Sequence, residues 1–153
     1  MDDGNDSVAV CSGLARLMRL KELTLFPRTS LVPGDAQVLT ALTALTHLVL
    51  SGMEGVEEED VVALAHSMPQ LRHLELGGQD LRGGVGMAAV GTLTQLTELF
   101  LENNDMTEQG LMQLTGLVHL QVLHPPPFLH GVTQEVVDRL WAAVQEQQLL
   151  LQQ

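Results

Sequence analysis

Three of the six histidines in the chain stand at the same place in a repeated phrase. His47, His73 and His119 each come directly before a leucine that anchors the phrase, and Glu22 and Glu98 hold that place in two further copies. If the copies lie side by side, these five side chains form one row. Imidazole beside carboxylate supports two kinds of chemistry. Neutral imidazole nitrogens and carboxylate oxygens are ligands for divalent metals such as zinc. Imidazole also changes its charge between about pH 5 and 8, so the row could form a pH-sensitive patch. A metal-binding sensor or enzyme built on His47, His73, Glu98 and His119 is therefore one reading. Against it, neighbouring side chains of a ladder run parallel, whereas a metal needs lone pairs that converge.

Other catalytic signatures are missing. There is no G-x-S-x-G and no H-E-x-x-H. "GGQDLRGGVG" (77–86) is rich in glycine but lacks the lysine of a phosphate loop, and reads as a turn between strand and helix. Glu57, Glu58, Glu59 and Asp60 lack the alternating ligands of a calcium loop and suit the first turn of a helix, where carboxylates meet the positive end of the dipole. The only cysteine, Cys11, excludes an internal disulfide and a cysteine-rich zinc site, and reads as a small buried hydrophobe. These residues point to no catalytic group and no cofactor, and to a reducing compartment, cytoplasm or nucleus.

A formal net charge of −12 argues against nucleic acid and anionic membrane as partners and permits a basic protein. The start, "MDDGND", is acidic and not the opening of a signal peptide, and no apolar run is long enough to span a bilayer. Hydrophobic residues make up 45% of the chain and aromatics only 3%, so the core must be aliphatic.

The elements that would position the row are written in the phrase itself. "LMRLKELTL" (17–25), "LTALTHLVL" (42–50), "MPQLRHLEL" (68–76), "LTQLTELFL" (93–101) and "LTGLVHLQV" (114–122) share L-x-x-L-x-x-L-x-L. Their central leucines are Leu23, Leu48, Leu74, Leu99 and Leu120, spaced by 25, 26, 25 and 21 residues. L-x-L is strand alternation. Between the phrases the spacing turns helical: Val61, Leu64, Ala65 and Met68 share one face, and Val38, Leu42 and Leu45 another. Thr107 is placed to cap "EQGLMQL", while Gly84, Gly86 and Gly91 weaken the helix between 84 and 93. One such unit cannot bury its own leucines, but stacked units can. Every crossover runs the same way, so the strands must be parallel.

The chain resembles leucine-rich-repeat proteins of the ribonuclease-inhibitor-like class. "LAHSMPQLRHLEL" (64–76) and "MTEQGLMQL" (106–114) are similar to repeats of F-box substrate receptors, with Met68 where that pattern has cysteine and Pro69 matching. Asn104 fills the place of the ladder asparagine, and Arg28, Met53 and Gln79 stand at the equivalent positions. The resemblance implies an α/β leucine-rich-repeat solenoid with about five parallel strands on the concave face and helices on the convex face. It further implies a non-catalytic module that binds a protein on the concave sheet, or the substrate-reading part of a ubiquitin-ligase receptor.

On that sheet, the residue after each central leucine also faces out: Thr24, Val49, Glu75, Phe100 and Gln121. Phe100 is then an exposed aromatic with Glu75, Glu98 and Glu102 around it. The expected partner-binding set is His47, His73, Glu75, Glu98, Phe100, Glu102, His119 and Gln121. One domain is expected over 1–153, with repeats over 6–124, a proline-rich break over 125–132 and a capping helix over 133–151. That helix has Thr133 as N-cap and Val137, Leu140, Trp141 and Val144 as its apolar stripe. At the other end, 6–18 reads as the helix of a first repeat that lacks its strand.

Overall fold

The computed structural model describes residues 13–14, 16–25, 35–52 and 55–153. Cys11, Arg28, Met53 and most of 6–18 lie outside the described residues. Five strands, β1 (Glu22–Thr24), β2 (His47–Ser51), β3 (His73–Gly77), β4 (Glu98–Phe100) and β5 (Val122–His124), form one sheet in chain order. Every neighbouring pair is parallel. The crossovers carry α1 (Asp35–Leu39), α2 (Glu58–Ser67), α3 (Val85–Val90) and α4 (Glu108–Met112), the last extended by a 3₁₀ turn over Gln113–Gly116. A longer helix, α5 (Gln134–Leu151), follows β5.

Period-2 alternation decides which side of each strand is buried. Leu48, Leu50, Leu74, Leu76, Leu99 and Leu101 are at most 4% exposed, so the strand leucines form the core. The leucines that lead into each strand, such as Leu42 and Leu45 or Leu93 and Leu96, are buried in the same column. α2 forms as the spacing predicts: Val61, Leu64 and Ala65 face the core, and the Asp60 carboxylate accepts from the Glu57 N–H at 2.9 Å. α1 is shorter than predicted. It ends at Leu39, after which the Thr40 hydroxyl turns back to the Gln37 carbonyl. Such a side-chain bond competes with the helical ladder. Ala36 and Leu39 are its buried residues, Val38 is half-buried, and Leu42 and Leu45 belong to the turns before β2.

α3 forms despite its glycines because packing uses one of them. The Gly86 N–H donates to Glu58 Oε1 at 3.0 Å, and a Cβ there would lie 3.0 Å from Glu58 Cγ. Asn104 ties two turns of the stack together. It is 1% exposed, its Oδ1 accepts from the Gln79 N–H at 3.1 Å, and its Nδ2 donates to the Leu76 carbonyl at 2.9 Å. These bonds satisfy backbone groups that the turn leaves without a ladder partner.

β5 corrects the alignment of the fifth phrase. Leu99 pairs with Leu123, not with Leu120. Leu117, Leu120 and Leu123 take the places of Leu93, Leu96 and Leu99, and Pro125 stands where Leu101 stood. The segment 114–123 carries leucine every three residues, so it fits the phrase in two frames three residues apart. Leu114, the first leucine of the rejected frame, is buried within the 3₁₀ turn.

α5 starts at its expected cap, the Thr133 hydroxyl accepting from the Val136 N–H at 3.3 Å. Val136, Val137, Leu140 and Val144 are buried, Trp141 is half-buried, and the helix lies against α4 and the 3₁₀ turn. Gln148 Nε2 also donates to the Leu120 carbonyl at 3.1 Å, and Arg139 pairs with Glu108.

Candidate functional site

The sheet face turned away from the buried leucines carries two rows of side chains. The first is Glu22, His47, His73, Glu98 and Val122; the second is Thr24, Val49, Glu75, Phe100 and His124. The strand registry therefore brings His47, His73, Glu75, Glu98 and Phe100 together as the sequence predicts, and Glu102 joins them at the end of β4.

His119 and Gln121 are corrections. The three-residue shift of the fifth phrase removes both from the rows and puts Val122 and His124 in their places. His119 sits in the turn before β5, its Nδ1 bonded at 2.8 Å to the Thr94 carbonyl. With Gln121 it lines a groove of about 590 Å³ beside Trp141 and Gln148. His124 is the residue that sequence reasoning missed. Its signal is its place after Leu123, which matches that of Phe100 after Leu99, once the later frame is chosen.

Four rings meet across four strands. The His47 and His73 centroids are 5.6 Å apart and stacked, His73 and Phe100 are 5.1 Å apart and tilted by 39°, and Phe100 and His124 stack at 4.4 Å. Strand spacing of about 4.8 Å sets this interval. The ladder is oblique: it runs in the first row on β2 and β3 and crosses to the second row on β4 and β5.

Carboxylates flank the rings on both sides. His73 Nδ1 lies 2.9 Å from Glu98 Oε2, and His124 Nδ1 lies 2.8 Å from Glu102 Oε1. An ionised carboxylate only accepts, so each Nδ1 carries a proton. His73 Nε2 faces Glu75 Oε2 at 4.0 Å, while Glu75 Oε1 accepts from the Ser51 hydroxyl at 2.8 Å. His47 Nδ1 is 2.9 Å from the Thr46 hydroxyl and 3.9 Å from Glu22. The His73 side chain is only 18% exposed, so the centre of the ladder is its most constrained part.

This arrangement does not suit a metal. The row keeps two histidines rather than three, and their stacked rings present nitrogen lone pairs side by side. Among the described residues, no three His, Cys, Asp or Glu side chains are grouped to hold an ion. Away from the face, Arg82 donates to both carboxylate oxygens of Asp80, each at 2.8 Å. That fork holds the Asp80 carboxyl down at about 2 and pushes the guanidinium above its usual value.

No protein-family model matches the chain, and no curated protein matches it. Among solved structures it is similar to an internalin (inlF) of Listeria monocytogenes, with a TM-score of 0.60 and 22% identity. The match covers 84% of this chain and 35% of that one. An internalin C2 (inlC2) of the same organism matches with a TM-score of 0.54 and 18% identity, over 84% and 51% of the two chains. Internalins are leucine-rich-repeat proteins. This chain folds as a leucine-rich-repeat solenoid. The solenoid spans about a third of one internalin and half of the other, and at these identities the likeness is one of fold. Among the described residues, no helix is long and apolar enough to cross a membrane.

Proposed function

We propose that the solenoid is a non-catalytic protein-interaction module that binds a basic protein on the open face of its sheet. Phe100 carries this reading. It sits in the middle of the ladder, half-exposed, with a histidine ring against each side. Side chains already stacked on one another lose little freedom on binding, which lowers the cost of association. Strands β1–β5 contain no lysine or arginine, and Glu22, Glu75, Glu98 and Glu102 surround the rings. An apolar strip between carboxylates fits a partner whose apolar contact is flanked by Lys or Arg.

The finer likeness to F-box receptors rests on the phrase around Met68. Met68 is fully buried, so the match there is a packing position and carries no adaptor role by itself.

Phe100→Ala should weaken binding to a cognate partner by about 2 kcal/mol or more, while leaving the unfolding midpoint nearly unchanged. Glu75→Lys should mainly slow association and flatten its salt dependence. Affinity capture with the native chain and with both variants gives the comparison. Partners retained equally by all three would move the binding site elsewhere, first of all to the acidic start of α2 at Glu57.

A further inference from the structure

We infer that the ring ladder binds a cationic protein segment in competition with protons, with His47, His73 and His124 as the competing groups. This rests on the open-face reading of the previous paragraphs. Each imidazole lies beside a carboxylate that a partner's guanidinium or ammonium would also use. His73 is bonded to Glu98 of β4 and faces Glu75 of its own strand. His124 is bonded to Glu102. His47 faces Glu22 of β1, and Lys21 and Arg72 border it at the edge where the strands begin. Phe100, between His73 and His124, adds no charge.

With neutral imidazoles, the four carboxylates give the face a charge of −4; with three imidazolium ions it falls to −1. Imidazole is the side chain that makes this change between about pH 5 and 8. An imidazolium also holds the carboxylate beside it more tightly than the neutral ring does, and it repels an incoming cation. By linkage, a bound cation must in turn displace protons from the face.

The molecule contains its own control. His66 lies exposed on α2, His119 in the turn before β5, and His130 beside Asp105 at 3.9 Å. Three histidines are thus on the ladder and three are off it, so the two sets differ in place and not in number.

The probe is a fluorescent hexa-arginine peptide, titrated with the full chain by anisotropy at constant ionic strength. Affinity should fall at least about tenfold between about pH 7.5 and pH 5.5. The variant with His47→Asn, His73→Asn and His124→Asn should lose most of the fall, read as the ratio of its own affinities at the two pH values. The variant with His66→Asn, His119→Asn and His130→Asn should keep it. If the ladder variant does not fold, His124→Asn alone, at an exposed site, should remove about a two- to threefold part of the fall. An equal fall in both triple variants would overturn the inference, because it would report total charge and not the ladder. No peptide binding near pH 7.5 would also overturn it. The protein-partner reading would still stand or fall on Phe100→Ala with its own partner.

Discussion

The third and fifth turns of the stack open with the same leucine spacing and end differently. β3 runs for five residues, with Leu74 and Leu76 buried between β2 and β4, and Asn104 bonds to the Leu76 carbonyl within it and the Gln79 N–H beyond it. β5 runs for three, Leu123 is only half-buried, and Pro125, Pro126 and Pro127 follow at once. Proline has no N–H to give a ladder, so the sheet stops there. A leucine inside the stack is covered by the next copy of its own phrase. At the end of the described sheet an element unlike the repeat must cover it, and α5 does so with Val136, Val137, Leu140 and Val144.

The largest effect should come from removing that cover. A chain ending at Pro127 exposes Leu114 and its neighbours, and should aggregate or unfold without cooperativity in size-exclusion and thermal measurements. A monomeric product with an unchanged transition would mean that the last turn shields itself. A sharper contrast sets Leu74→Ala against Leu123→Ala. The first should cost about 2–5 kcal/mol in chemical denaturation and the second about 1 kcal/mol, because only the first leaves a closed cavity. Equal costs would erase the distinction between middle and end.

Two glycines make the same comparison on the helix side. A Cβ at Gly91 would lie 2.3 Å from the Gln113 carbonyl oxygen, which is backbone of the next turn and cannot rotate away. Gly91→Ala should cost about 1–3 kcal/mol through forced backbone shifts. At Gly116 a Cβ would meet only the Gly91 carbonyl oxygen, at 3.6 Å. Gly116→Ala should change stability by less than about 0.5 kcal/mol. The smallest effect is expected at Arg82, in the exposed turn after β3. Asp80 is depressed in the folded state, so its contribution to stability is present above the ordinary carboxylate range and lost as pH falls toward about 2. Arg82→Ala should move the Asp80 titration up toward the ordinary range in NMR, with little change in melting near neutral pH.

The sequence by itself determined the repeat, the buried strand leucines and the parallel order. Each follows from local period-2 and period-3.6 patterns that several copies state independently. It also placed Phe100, His73, Glu75 and Glu98 together, because alternation fixes which side chains leave the core. Tertiary structure alone decided the register of the fifth strand, since a leucine every third residue fits two frames and only pairing with β4 selects one. It therefore exchanged His119 and Gln121 for Val122 and His124. It also decided that the rings form an oblique ladder. Crossing from one row to the next between β3 and β4 depends on side-chain stacking between strands, and no spacing within a single strand encodes that contact.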